Sequence, residues 1–102
     1  MIITNAGALA RAIRRHRDAA PALRAWLRVV EEAQWRSIVD VRKVYPSADG
    51  VEVESGNIVT VFNIRGNNYR LVTQISYRAA VVNVIELLTH VEYDREKWKR
   101  RI

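Results

Sequence analysis

The feature that most constrains this chain is a change of hydrophobic rhythm across Pro46-Ser47-Ala48-Asp49-Gly50. Upstream, Leu23, Trp26, Leu27, Val30 and Gln34 follow the i, i+3, i+4, i+7 spacing of a helix with one apolar stripe. Downstream, Val51-Glu52-Val53-Glu54 alternates as a half-buried strand does, and Ile58 to Ile64 is rich in β-branched residues. Helices first and strands after predict an α+β domain, with the helices covering one face of an antiparallel sheet. The 102 residues suffice for a single domain, residues 1–102, and a 49% hydrophobic share supports a packed core.

Around that switch the local signals give an element order. Ile2-Ile3 reads as a short opening strand, and Thr4 or Asn5 offers an N-cap for a helix from about Gly7 to Arg17. A second helix restarts at Asp18 or Ala20 with Pro21 in its first turn, where a missing N–H costs little. Arg28 and Glu32 stand at pairing distance on its outer side. A short helical turn containing Val39 and Val41 is expected between Arg36 and Tyr45. Four strands follow, 51–54, 58–64, 69–77 and 80–88, separated by turns at Ser55-Gly56-Asn57, Arg65-Gly66-Asn67-Asn68 and Tyr77-Arg78-Ala79. The last strand is apolar on both faces apart from Asn83 and Glu86, which predicts a central position in the sheet. Thr89-His90-Val91-Glu92 has the capping-box spacing and predicts a terminal helix from His90 to about Lys99.

The net charge of +6 is unevenly spread. Residues 1–45 carry +5, residues 46–94 carry −3 and residues 95–102 carry +4. Basic ends of this kind suit either solvated helix surfaces or a polyanionic partner such as RNA. Without cysteine there are no disulfides, cysteine zinc sites, iron–sulfur clusters or thiol nucleophiles, and two histidines are too few for a histidine metal cage. No apolar run approaches the roughly 20 residues of a membrane-spanning helix. The opening Met1-Ile2-Ile3-Thr4-Asn5 lacks the basic and apolar regions of a secretory signal, so a cytoplasmic location away from membranes is expected.

Two groups of residues could carry chemistry. In the strand from Tyr69, Arg70 points away from the face that Tyr69, Leu71, Thr73 and Ile75 share, and it adjoins the turn holding Arg65, Asn67 and Asn68. On the terminal helix, His90 stands i, i+3 from Tyr93 and i, i+4 from Asp94, so the three share one face. The positive end of a helix dipole disfavours a cationic histidine there, and Asp94 counters that. Such a histidine suits proton transfer, although the same residues would also serve as a purely structural helix start. The run Arg95-Glu96-Lys97-Trp98-Lys99-Arg100-Arg101 adds cations and one aromatic, with Trp98 as a candidate anchor on the sheet.

Three stretches carry a family resemblance: Trp35 with Asp40-Val41-Arg42-Lys43-Val44-Tyr45-Pro46-Ser47-Ala48, the block from Val61 to Val72 (Val-Phe-Asn-Ile-Arg-Gly-Asn-Asn-Tyr-Arg-Leu-Val), and Leu88-Thr89-His90-Val91-Glu92-Tyr93-Asp94. In order and spacing they resemble the HigB family of toxins from bacterial type II toxin–antitoxin systems, over nearly the whole chain. The resemblance implies a RelE/ParE-like fold. It also implies an mRNA interferase acting on messages in the ribosome, with no cofactor and no metal. The implied partner is a HigA-type antitoxin with a DNA-binding helix-turn-helix, so that operator DNA is reached only through the antitoxin. Carried onto this sequence, His90 becomes the proton-transfer group, Tyr93 its assistant or a stacking surface, and Asp94 the residue that orients His90. Arg70 and Arg65 become phosphate-stabilising cations, with Asn67, Asn68, Lys97 and Lys99 as further RNA contacts. Asn68 stands where many relatives carry lysine, and Glu86 where relatives often carry an aromatic or basic residue. Two other functions remain open at this point: a ParE-like inhibitor of DNA gyrase, and a non-enzymatic RNA- or ribosome-binding module.

Overall fold

A computed structural model describes all residues from Met1 to Ile102. The chain runs β1 (Ile2–Thr4), α1 (Ala6–Arg15), a single 3-10 turn (Arg17–Ala19), α2 (Ala20–Glu32), α3 (Ile38–Val44), β2 (Asp49–Glu52), β3 (Ile58–Ile64), β4 (Tyr69–Ser76), β5 (Val81–Thr89), α4 (His90–Asp94) and a second 3-10 turn (Lys97–Arg100). The strands form one five-stranded sheet in the order β1-β5-β4-β3-β2. The expected antiparallel meander is β2 to β5, and β1 adds to it in parallel, Ile2 opposite Val81 and Thr4 opposite Asn83. The sheet is therefore mixed; β5 is flanked on both sides, by β1 and β4, but the central strand is β4 and not β5 as expected.

The helical layer covers the face to which Tyr69 and Leu71 point. Leu23, Trp26 and Val30 of α2 are buried there, as the stripe predicts, whereas Gln34 lies beyond the helix end and is exposed. Phe62 is the hub, with the rings of Trp26, Trp35 and Tyr45 centred 5.5, 6.1 and 5.3 Å away. Trp26 and Tyr45 meet Phe62 edge-on, which sets the positive rim of one ring against the negative face of another, while Trp35 stacks on it. Seventeen buried residues make up this core. The opposite face holds a smaller cluster of Val53, Val59, Val61, Val72, Leu88 and Trp98. Trp98 is 1% exposed and so anchors the C-terminal turn, as its place in the basic run suggests.

Several local expectations need correction. Thr4 and Asn5 do not cap α1 with their side chains: Thr4 Oγ1 donates to Asn83 Oδ1 at 2.8 Å, and Asn5 Nδ2 donates to the Val84 carbonyl at 2.8 Å. Both polar groups fasten the chain start to β5 instead. Arg28 and Glu32 are spaced for a pair that does not form, in keeping with the small worth of exposed helix ion pairs. Strand β2 begins two residues early because Asp49 and Gly50 already pair with Val61 and Thr60, and it ends at Glu52, where the Val53 N–H bonds to the Asn57 carbonyl and closes the turn. A bulge leaves Ile85 without a partner on β4, since Val72 faces Glu86 and Thr73 faces Val84.

Candidate functional site

The site lies where the β3–β4 turn meets the start of α4. Arg65 and Gly66 take left-handed conformations, φ 53° and 63°, and turn the chain between Ile64 and Tyr69. The turn then reaches across to α4, where the Asn68 carbonyl accepts the His90 N–H at 3.0 Å. Helix α4 starts there because Thr89 forms the predicted capping box. Thr89 Oγ1 accepts the Glu92 N–H at 3.1 Å, and Glu92 Oε1 accepts the Thr89 N–H at 2.9 Å. Those bonds hold the Glu92 carboxyl below its usual range.

Within this frame four predicted residues form two pairs, Arg70 with Tyr93 and His90 with Asp94. Arg70 is half-buried on β4 and donates to the Asn67 carbonyl at 3.0 Å and to Asn67 Oδ1 at 2.6 Å. Its guanidinium carbon lies 5.5 Å from the centre of the Tyr93 ring. All its partners are neutral, so the arginine is held in place without its charge being cancelled. Tyr93 stacks on Trp98 with centroids 5.3 Å apart, and burial raises the Tyr93 phenol above its ordinary 10.0. At neutral pH it is a hydrogen-bond donor, not a base. His90 is exposed, and its Nδ1 lies 3.2 Å from Asp94 Oδ2. A carboxylate beside Nδ1 favours the tautomer that carries its hydrogen there and orients the ring.

The other candidates divide. Asn67 frames Arg70, Asn68 supports His90 through its backbone, and Lys97 is exposed with no ion-pair partner. Lys99, expected to meet RNA, is instead engaged within the chain. Its Nζ is 2.9 Å from Glu96 Oε1 and 5.9 Å from the centre of the Trp98 ring. Arg65 likewise turns toward the helical layer, where NH1 lies 3.1 Å from Asp18 Oδ2. The basic tail as a whole is less available than its composition suggests, because Arg100 pairs with Glu54 and Arg101 with Glu86. Glu86 thereby has a local structural partner on the Arg70 face.

The predicted terminal helix stops at Asp94. Glu96 flips to φ 62°, and a 3-10 turn carries Trp98 back under Tyr93, where its Nε1 donates to the Tyr93 carbonyl at 3.0 Å. No three His, Asp or Glu side chains gather as a metal-ligating group. Residues that sequence reasoning passed over are Asp18, Tyr69 and His16. The Tyr69 hydroxyl donates to Asp18 Oδ1 at 2.7 Å, and the His16 ring packs 4.9 Å from the Tyr69 ring. One sequence signal was present: Asp18 is the sole acid among the first thirty residues, in a segment with six arginines.

A five-stranded mixed sheet with a helical hairpin on one face is compatible with the fold of a RelE-like toxic component of a toxin–antitoxin system. Residues 19–96 match the family model HigB_toxin, which carries that description, and the chain belongs to that family. Membership implies an antitoxin partner. Among curated proteins, none matches the chain. No helix is long and apolar enough to cross a membrane.

Proposed function

We propose that this toxin is a metal-free endoribonuclease that cleaves mRNA on the ribosome in the cytoplasm, and that a HigA-type helix-turn-helix antitoxin neutralises it and supplies the contact to operator DNA. The observation that carries the reading is the pairing of His90 with Asp94 on the helix whose Tyr93 ring meets Arg70, a cation held only by neutral groups. RNA cleavage by its own 2′-hydroxyl needs a proton removed from that oxygen, charge balanced on the phosphorane and a proton delivered to the departing 5′-oxygen. His90 Nε2 provides the proton transfer, and Asp94 stabilises the imidazolium formed on the way. Arg70 meets the phosphorane oxygens, and the neutral Tyr93 phenol donates to the phosphate or presents its ring to a base. The 2′-oxygen bonds to phosphorus as the 5′-oxygen leaves, giving a 2′,3′-cyclic phosphate and a 5′-hydroxyl. Asn67, Asn68 and Lys97 border this centre as backbone contacts. Arg65 and Lys99 reach RNA only by exchanging their carboxylate partners for phosphate.

Brief induction followed by sequencing of RNA 5′ ends tests the reading. The wild type should produce discrete cuts within translated messages. His90→Ala and Arg70→Ala should each lower cleavage by about 10²-fold or more while circular dichroism shows the fold retained. Full toxicity of both folded variants would overturn it. Intact RNA with DNA damage would point to gyrase, and ribosome-dependent binding without cuts to a passive module.

A further inference from the structure

Asp18 sits in the 3-10 turn between α1 and α2, on the helical side of the sheet, and yet it holds two residues that lead directly to the candidate site. One carboxylate oxygen accepts the Tyr69 hydroxyl at 2.7 Å and the other meets Arg65 NH1 at 3.1 Å. These partners are 51 and 47 residues away in sequence. Tyr69 is 8% exposed, is backed by the ring of His16 and starts β4 immediately before Arg70. In register Tyr69 faces Thr89, the cap of α4 and the neighbour of His90. Arg65 opens the turn in a left-handed conformation that a residue with a side chain seldom adopts. From that turn Asn67 frames Arg70 and the Asn68 carbonyl takes the His90 N–H.

We infer that Asp18 is a positioning residue for the nuclease centre: by clamping Arg65 and Tyr69 it fixes the 65–68 turn, and the turn in turn sets where Arg70 and His90 stand. An exposed ion pair alone contributes little to stability. Here the carboxylate is shared between a buried phenol and a strained turn, so its effect falls on geometry. A displacement of about 1 Å at reacting groups is enough to cost about 10²-fold in rate. The inference rests on the ribonuclease reading for its rate consequence, but not for its structural one.

The test uses the full chain, with Asp18→Ala, Asp18→Asn and Tyr69→Phe. Amide hydrogen exchange at His90 and Asn68 is followed by NMR, and cleavage of a translated message is measured in a reconstituted translation mixture. Asp18→Ala should speed exchange at the His90 amide and lower the maximal cleavage rate by about 10- to 100-fold, with KM for the programmed ribosome little changed. Asp18→Asn, which keeps an acceptor for the Tyr69 hydroxyl, and Tyr69→Phe should each give a smaller effect in the same direction. Unchanged exchange at His90 in Asp18→Ala would overturn the inference. So would a rate loss no larger than the loss of folded protein. A wild type that exchanges normally at His90 but cleaves nothing sinks the ribonuclease reading alone, and the exchange data still decide whether Asp18 sets the turn.

Discussion

On the helical face of the sheet, seventeen buried residues close around Phe62; on the other face, six buried residues are closed by the one turn that carries Trp98. The first face is covered by three helices and presents almost no polar group to water at its centre. The second is covered by a few residues, and Arg70, Tyr93 and His90 emerge at its margin. The difference separates two tasks within a small chain. Area removed from water on the thick side supplies most of the stability, at about 25 cal/mol per Å2 of apolar surface. The thin side can then leave a cation, a phenol and an imidazole accessible, since little of the fold depends on excluding water there.

The sharpest way to break this comparison is to remove one tryptophan from each side. Trp26→Ala should cost about 3–5 kcal/mol in denaturant unfolding, because the rings around Phe62 cannot collapse into the void. Trp98→Ala should fall at or below the lower end of that about 3–5 kcal/mol range, since the 3-10 turn can lift away with its side chain. Its effect on RNA cleavage should nonetheless exceed its effect on stability, because Tyr93 loses the ring that it stacks on. Equal stability losses for the two would mean that the smaller cluster carries as much of the fold as the larger.

A smaller change sharpens the boundary between the faces. Thr89→Ala removes the capping-box oxygen and should destabilise the chain by about 1 kcal/mol, with the loss in hydrogen exchange concentrated in α4. Protection lost evenly along β5 would show that the cap serves the strand and not the helix.

The smallest effect is expected from pH. Burial raises the phenols of Tyr45, Tyr77 and Tyr93, and the hydrogen bond to Asp18 raises that of Tyr69. A raised folded-state value means stability that is complete below the unfolded value of 10.0 and is lost as pH climbs past it. The Tm should therefore fall above about pH 10. Tyr93→Phe should remove only the open-face share of that fall, leaving the contribution of the three helical-face tyrosines. At the acid end Asp18, Asp40 and Glu92 are lowered, chiefly by the Tyr69 hydroxyl, the Arg36 N–H and the Thr89 N–H respectively. Their contribution is complete above their ordinary range and is lost as pH falls through the lowered values.

Sequence pattern was most informative where periodicity and local capping decide the outcome. The apolar stripe of α2, the strand Ile58–Ile64 and the Thr89–Glu92 cap are all local facts. The His90–Asp94 pair was legible for the same reason, since four residues on a helix define a distance. Elements decided by remote partners were not legible. Ile2–Thr4 gives no hint that it pairs in parallel, and the polar groups that look like caps of α1 are spent on β5. Burial of Trp98 overrides a helical pattern and breaks the chain at Glu96, which has no glycine to announce the reversal. Arg65 and Lys99 read as free cations because their carboxylate partners follow from the fold and, for Lys99, from that break.

The parallel pairing of β1 has a kinetic side. Thr4 meets Asn83 across 79 residues, so the first strand has nothing to pair with until the last one exists. Contacts of such long sequence separation are slow to form, because chain entropy is lost before the pairing repays it. The opening strand must wait unpaired beside the helical hairpin until β5 arrives with His90 directly behind it. Completion of the sheet and delivery of His90 thus fall together, which leaves the half-made chain without the imidazole of the candidate site.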